Sequence, residues 1–312
     1  MLRVTGLTVA FSLLSLVGAA AAESGSCKTV RFSDVGWTDI TATTATASVI
    51  LEALGYRPET QILSIPVTYA SMKNKDVDVY LGDWQPSMLD DRQPYLDDKS
   101  IEVVATNLTG AKYTFAVPEY VAEAGVKDFA DLQIFADKFG RKIYGIEPGN
   151  NGNRMILDIV EKGDFGLKGW ELVESSEQGM LAAVERAIRS ETWVVFLGWA
   201  THPMNSRFEI SYLSGGDAYF GPNYGGAEIH TNIRAGYGAE CPNVTKLVTN
   251  LRFTLEMENE MMGAILDDGK EPKAAATEWL KKNPDVIGPW LEGVTTFDGG
   301  AAEPAVANHI GM

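Results

Sequence analysis

Cysteine and histidine are scarce in this 312-residue chain: there are two of the first and three of the second. Cys27 and Cys241 are too far apart for a CxxC redox centre or a zinc knuckle. His202, His230 and His309 have no acidic or cysteine partner at metal-ligand spacing, so neither a metal nor another cofactor is expected. Positive charge is also short, with 26 Lys+Arg against 42 Asp+Glu and a formal net charge of −16. That balance opposes binding to nucleic acid or to an anionic membrane surface, both of which need basic patches. Catalytic signatures are missing as well: no G-x-S-x-G elbow, H-E-x-x-H, P-loop or G-x-G-x-x-G occurs. A secreted esterase, or a glycosidase whose two acids need no local motif, stays open as an alternative to a non-enzymatic role.

Long apolar runs are confined to the start. Met1-Leu2-Arg3, the apolar stretch from Val4 to Val17, and Gly18-Ala19-Ala20-Ala21-Ala22 have the layout of a signal peptide over residues 1–22. At about 14 residues the run is shorter than the roughly 20 that span a bilayer. The mature chain is therefore expected outside the cytoplasm, in the periplasm. An oxidising compartment leaves its two cysteines a single way to pair, predicting a Cys27–Cys241 disulfide.

What the sequence does have is alternation of short β-type runs with helical patterns, which predicts an α/β fold. Strands are expected at Lys28 to Ser33, Thr60 to Val67, Asp76 to Leu81, Lys142 to Ile146 and Trp193 to Leu197. Helices are expected after Thr38 or Asp39, near Tyr69 to Asn74, near Asp128 to Phe139, after the turn Glu147 to Gly152, and after a Ser175/Gln178 capping box. A mostly helical stretch runs from Asn243 to Leu291.

Three large aromatics share one context. Trp37, Trp84 and Trp199 each follow a predicted strand and a glycine, placing them just beyond strand C-termini, where open α/β sheets keep their ligand crevice. Tyr113 is a fourth candidate ring. Packing of each loop tryptophan on a neighbouring helix is the plain alternative for any one of them. Several ring faces in an acidic chain suit an organic cation such as a quaternary ammonium, held by cation–π attraction. Aromatic platforms for a sugar are the rival use.

Ser33-Asp34-Val35-Gly36-Trp37-Thr38-Asp39, Gly55-Tyr56, Asp76 to Pro86, Val117-Pro118-Glu119-Tyr120, Tyr144 to Gly149 and Leu197 to Pro203 resemble, in order and over nearly the whole mature chain, the substrate-binding proteins of quaternary-amine ABC importers. The resemblance implies a type II flytrap: two α/β lobes, each with a mostly parallel sheet flanked by helices, joined by two hinge crossings near Phe115 to Tyr120 and Ile229 to Arg234. Residues 23–115 plus 228–312 would form lobe I, holding both cysteines, and 116–227 lobe II. It also implies a ligand site of Trp37, Trp84, Tyr113 and Trp199, with Asp39 beside the cation and Asn150 near the ligand hydroxyl. A helix cap is the plain alternative for Asp39 and for Asn150, and cap and ligand contact are not mutually exclusive. The implied partners are choline, with acetylcholine or glycine betaine weaker, and a permease with its ATPase. General quaternary-amine binding is the near alternative.

Overall fold

The computed structural model describes residues 22–312, so the predicted signal peptide lies outside the described residues apart from its last position. Nine strands form one mixed sheet: β1 (Thr29–Asp34), β2 (Arg57–Ile62), β3 (Val79–Gln85), β4 (Ile101–Pro118), β5 (Lys142–Tyr144), β6 (Glu171–Val173), β7 (Phe196–Ala200), β8 (Ile210–Tyr212) and β9 (Gly226–Arg234). Their order is β2-β1-β3-β9-β4-β7-β5-β6, with β8 also paired to β4. β1 runs parallel to β2 and β3, and β5 runs parallel to β6 and β7. Between these parallel groups lie two antiparallel strands. β4 pairs with β9 from Ile101 to Lys112, then with β7 from Lys112 to Ala116 and with β8 from Ala116 to Pro118. Where two sheets were expected, the 18-residue β4 makes them one.

The first helix, α1 (Thr38–Ala53), is buried at 13 of its 16 positions, so it lacks the polar stripe of a surface helix. Its small residues admit the helices Leu255–Leu266 and Pro272–Lys282 on the side away from the sheet. Two of its buried threonines bond back into the helix, the Thr46 and Thr43 hydroxyls donating to the Ala42 and Ile40 carbonyls, whereas the Thr44 hydroxyl has no partner among the described residues.

Several element boundaries differ from expectation. β2 ends at Ile62, and Val67 belongs to the helix Ile65–Lys73, whose Pro66 is accepted because the first turn has no hydrogen bond for a proline to break. The helix expected near Asp128 to Phe139 closes at Ile134. The cap of Glu177–Arg189 is Ser176, which accepts from Gly179 N at 3.0 Å, rather than Ser175. The largest change concerns Trp84 and Trp199, which lie inside β3 and β7 and not beyond their ends. Gly82 and Gly198 looked like strand breaks. They are in-strand close contacts: a Cβ at Gly82 would sit 2.7 Å from Ile40 of α1, and one at Gly198 2.8 Å from the Ala116 side chain.

Cys27 and Cys241 are disulfide-bonded with Cα atoms 5.6 Å apart, tying the start of β1 to the segment after β9. Among the described residues no helix is long and apolar enough to cross a membrane.

Candidate functional site

Four aromatic rings enclose one cavity: Trp37, Trp84, Tyr113 and Trp199, completed by Ser87 and Ile146. Different elements deliver each ring. Trp37 occupies the N-cap of α1, on a turn shaped by Asp34, whose carboxylate accepts from Gly36 N at 2.7 Å and the Thr41 hydroxyl at 2.7 Å. Trp84 comes from β3. Tyr113 and Trp199 stand directly opposite each other in the β4–β7 ladder, so their side chains share a face. Tyr113 is the hub, its ring centroid 6.1 Å from Trp84 and 6.5 Å from Trp199, both edge-on. Each of the four is at most 6% exposed.

The cavity leaves the centre of a water-sized sphere only about 10 Å³. That is about the room one water needs.

Hydrogen bonds fix the indoles. Trp84 Nε1 donates to Asp39 Oδ2 at 3.0 Å, and Trp37 Nε1 donates to Glu147 Oε1 at 2.9 Å. Asp39 is in the first turn of α1 but caps nothing; its Oδ1 is buried and without a partner among the described residues. Burial, followed by the neighbouring Glu177 carboxylate, pushes the Asp39 pKa up to about 7. Burial likewise raises Glu147 and Asp34, and lifts Glu258, which faces Asp39, well above the usual carboxylate range. Buried acids thus surround the aromatic pocket in excess.

Asn150 is the N-cap of the helix Asn151–Lys162: its Oδ1 accepts from Gly152 N at 2.7 Å and Asn153 N at 3.3 Å. The same oxygen takes the Tyr113 hydroxyl at 3.1 Å, and Nδ2 donates to Glu147 Oε1 at 3.1 Å. Gly152 is what lets the tyrosine so close, since a Cβ there would lie 1.9 Å from the phenol oxygen. All six site residues named from the sequence therefore gather in one cluster. Glu147, Ser87 and Ile146 are additions. Glu147 lies in a turn that carried the family resemblance, but nothing local linked it to Trp37, 110 residues earlier.

The two cations nearest in sequence point elsewhere. Lys112 Nζ lies over the Tyr212 and Tyr224 rings, and the Arg154 guanidinium bonds Asp91 and the Gly149 carbonyl. Among the described residues no cluster of three or more acidic, histidine or cysteine side chains is arranged to hold a metal.

With the fold and the aromatic cavity in view, sequence comparison defines the class. The family described as the substrate binding domain of ABC-type glycine betaine transport systems matches residues 28–282, and the chain belongs to it. It is a substrate-binding protein of an ABC importer, with the two-lobed type II periplasmic-binding-protein fold. Among solved structures, it is similar to an ABC-transporter choline binding protein in complex with choline, at 63% identity and a TM-score of 0.91, with 93% of this chain and 100% of that chain covered. It is also similar to an ABC-transporter choline binding protein in an unliganded semi-closed conformation, at 63% identity and a TM-score of 0.85, with 92% and 100% covered. Lactococcal OpuAC, closed around glycine betaine, is 27% identical with a TM-score of 0.76, covering 84% of this chain and 99% of that one.

Proposed function

We propose that this protein captures choline in the four-ring cavity and hands it to the permease and ATPase of an importer, without turning it over. The observation that carries the reading is the meeting of Trp37, Trp84, Tyr113 and Trp199 around one cavity, with the buried Asp39 carboxylate bonded to the Trp84 indole and its second oxygen without a partner among the described residues. A quaternary ammonium offers no conventional hydrogen bond, and ring faces hold it by cation–π attraction instead. Asp39 adds charge attraction and an acceptor for the hydroxyl. Glycine betaine has the same head, but its carboxylate meets a like charge in a dry site, with neither Lys112 nor Arg154 turned toward it. Similarity to the choline-bound structure supports the same choice.

The lobe division extends this reading: residues 23–115 plus 228–312 against 116–227. It is supported by β4, which changes partners at Lys112, and by β9, which starts at Gly226 opposite that residue. Trp37, Asp39 and Trp84 then belong to one lobe and Trp199 and Asn150 to the other, so closure assembles the box. Export through the signal peptide at residues 1–22 completes it.

A panel of choline, acetylcholine, glycine betaine and a neutral isostere, followed by intrinsic tryptophan fluorescence, tests the proposal. Saturable binding with choline tightest is expected. Equal affinity for betaine would return the assignment to general quaternary-amine binding, and a product peak from choline esters would reopen an enzymatic role.

A further inference from the structure

Helix α1 carries two of the site residues at its start, yet begins without a cap of its own: Trp37 is at the N-cap position and supplies no side-chain hydrogen bond. The missing acceptor comes from across the cleft. Glu177, the first residue of the helix Glu177–Arg189 and only 2% exposed, takes Thr38 N on Oε2 at 2.9 Å and the Thr38 hydroxyl on Oε1 at 2.7 Å. Such a bond satisfies one of the free N–H groups at a helix start.

Glu177 is itself held. His202 Nε2 lies 3.1 Å from Glu177 Oε1, while His202 Nδ1 accepts from Met204 N at 2.9 Å. With Nδ1 an acceptor, the ring proton is on Nε2, and a neutral imidazole donates to the carboxylate. The His202 ring packs edge-on against Trp199 with centroids 4.9 Å apart. A continuous path therefore runs from Trp199 through His202 and Glu177 to Thr38, which separates Trp37 from Asp39. Glu177 does not line the cavity.

We infer that Glu177, oriented by His202, is a positioning residue that latches the cleft: by capping α1 from the opposite lobe it sets Trp37 and Asp39 in place in the closed form alone. The inference rests on the two-lobed reading above. It gives closure a contact that does not touch ligand, so the latch controls how long ligand stays and leaves which ligand is chosen to Asp39 and the rings.

Glu177→Ala and Thr38→Val, singly and together, test it by stopped-flow tryptophan fluorescence with choline. The expected result for Glu177→Ala is a dissociation rate raised roughly 5- to 30-fold, the range set by loss of a helix cap. The association rate should change less than about threefold, because association depends weakly on contacts formed after encounter. At pH 8, where Asp39 is mostly ionised with or without Glu177, the choline-to-betaine ratio should hold, and the double variant should lose less than the sum of the single losses. The melting temperature of ligand-free protein should be unaltered. Additive losses, an unaltered dissociation rate, or an equal drop in melting temperature with and without ligand would overturn the latch. Hydrogen exchange at the Thr38 amide reads the same contact under whichever ligand of the panel saturates the protein, and should quicken in Glu177→Ala with that ligand bound but not without it. Unchanged exchange defeats the latch whatever binds, whereas failure of the wild type to bind choline defeats the functional reading alone.

Discussion

Asp39 should make choline affinity a function of pH. Its carboxyl, held near pKa 7 by burial and by Glu177, must be ionised to attract the cation. If binding requires the ionised form, affinity at pH 5 should be roughly 90-fold weaker than at pH 8, falling about tenfold per unit once well below 7. Asp39→Asn removes both the charge and its titration. Asparagine can still accept from Trp84 Nε1, so the indole stays in place. At ~5 Å and an effective dielectric of ~20, the lost attraction is at most about 3 kcal/mol, setting a ceiling of roughly 200-fold at pH 8. Isothermal titration calorimetry between pH 5 and 8, in buffers of different ionisation enthalpy, measures the affinity and counts released protons. The variant should show a flat profile and a smaller gap between choline and betaine. Glu147, Glu258 and Asp34 also have raised pKa values nearby, so the comparison with Asp39→Asn assigns the slope. A flat wild-type profile, or a slope surviving in Asp39→Asn, refutes the reasoning.

Replacing Trp37, Trp84 or Trp199 by alanine should each weaken choline binding at least tenfold, given about 2 kcal/mol for a desolvated cation–π contact. Circular dichroism should report an intact fold, and wild-type affinity in any two variants would remove the aromatic box. Ligand-free stability should fall as pH rises from about 4 to about 7, because the folded state keeps the Asp39 proton after the unfolded chain has released it; saturating choline should reduce that fall in melting curves. Reduction of the buried Cys27–Cys241 bond should cost about 2–5 kcal/mol in denaturant unfolding, and two free thiols in denatured, unreduced protein would contradict the pairing. Choline should shrink the scattering radius of the ligand-free protein, and an unchanged radius at saturation would point to a preclosed form.

The α/β alternation and the single cysteine pair were legible in the sequence because each left a local mark, a period and a pairing with one solution; a glycine before a tryptophan marked three of the rings that line the cavity, whereas Asp39 and Asn150 came only with the family resemblance. Strand ends were less legible. A glycine reads as a stop, and only packing partners from elsewhere, Ile40 against Gly82 and Ala116 against Gly198, reveal it as a place where elements touch. Asn150 could be read as cap or ligand contact; the structure makes it a cap that also receives the Tyr113 hydroxyl. Glu177 was hidden altogether, since its partner Thr38 is 139 positions away and nothing local to either residue marks the contact.

Tyr113 follows the residue at which β4 exchanges β9 for β7. On a body that bends there, points travel in proportion to their distance from the bend. If the proposed lobes close about that bend, Trp37 and Trp199 would sweep toward each other while Tyr113 hardly moved. Its ring would be the floor on which a ligand settles before the walls arrive, and the last surface it leaves when they part. The order of contact during capture and release would then follow from the position of one residue along one strand.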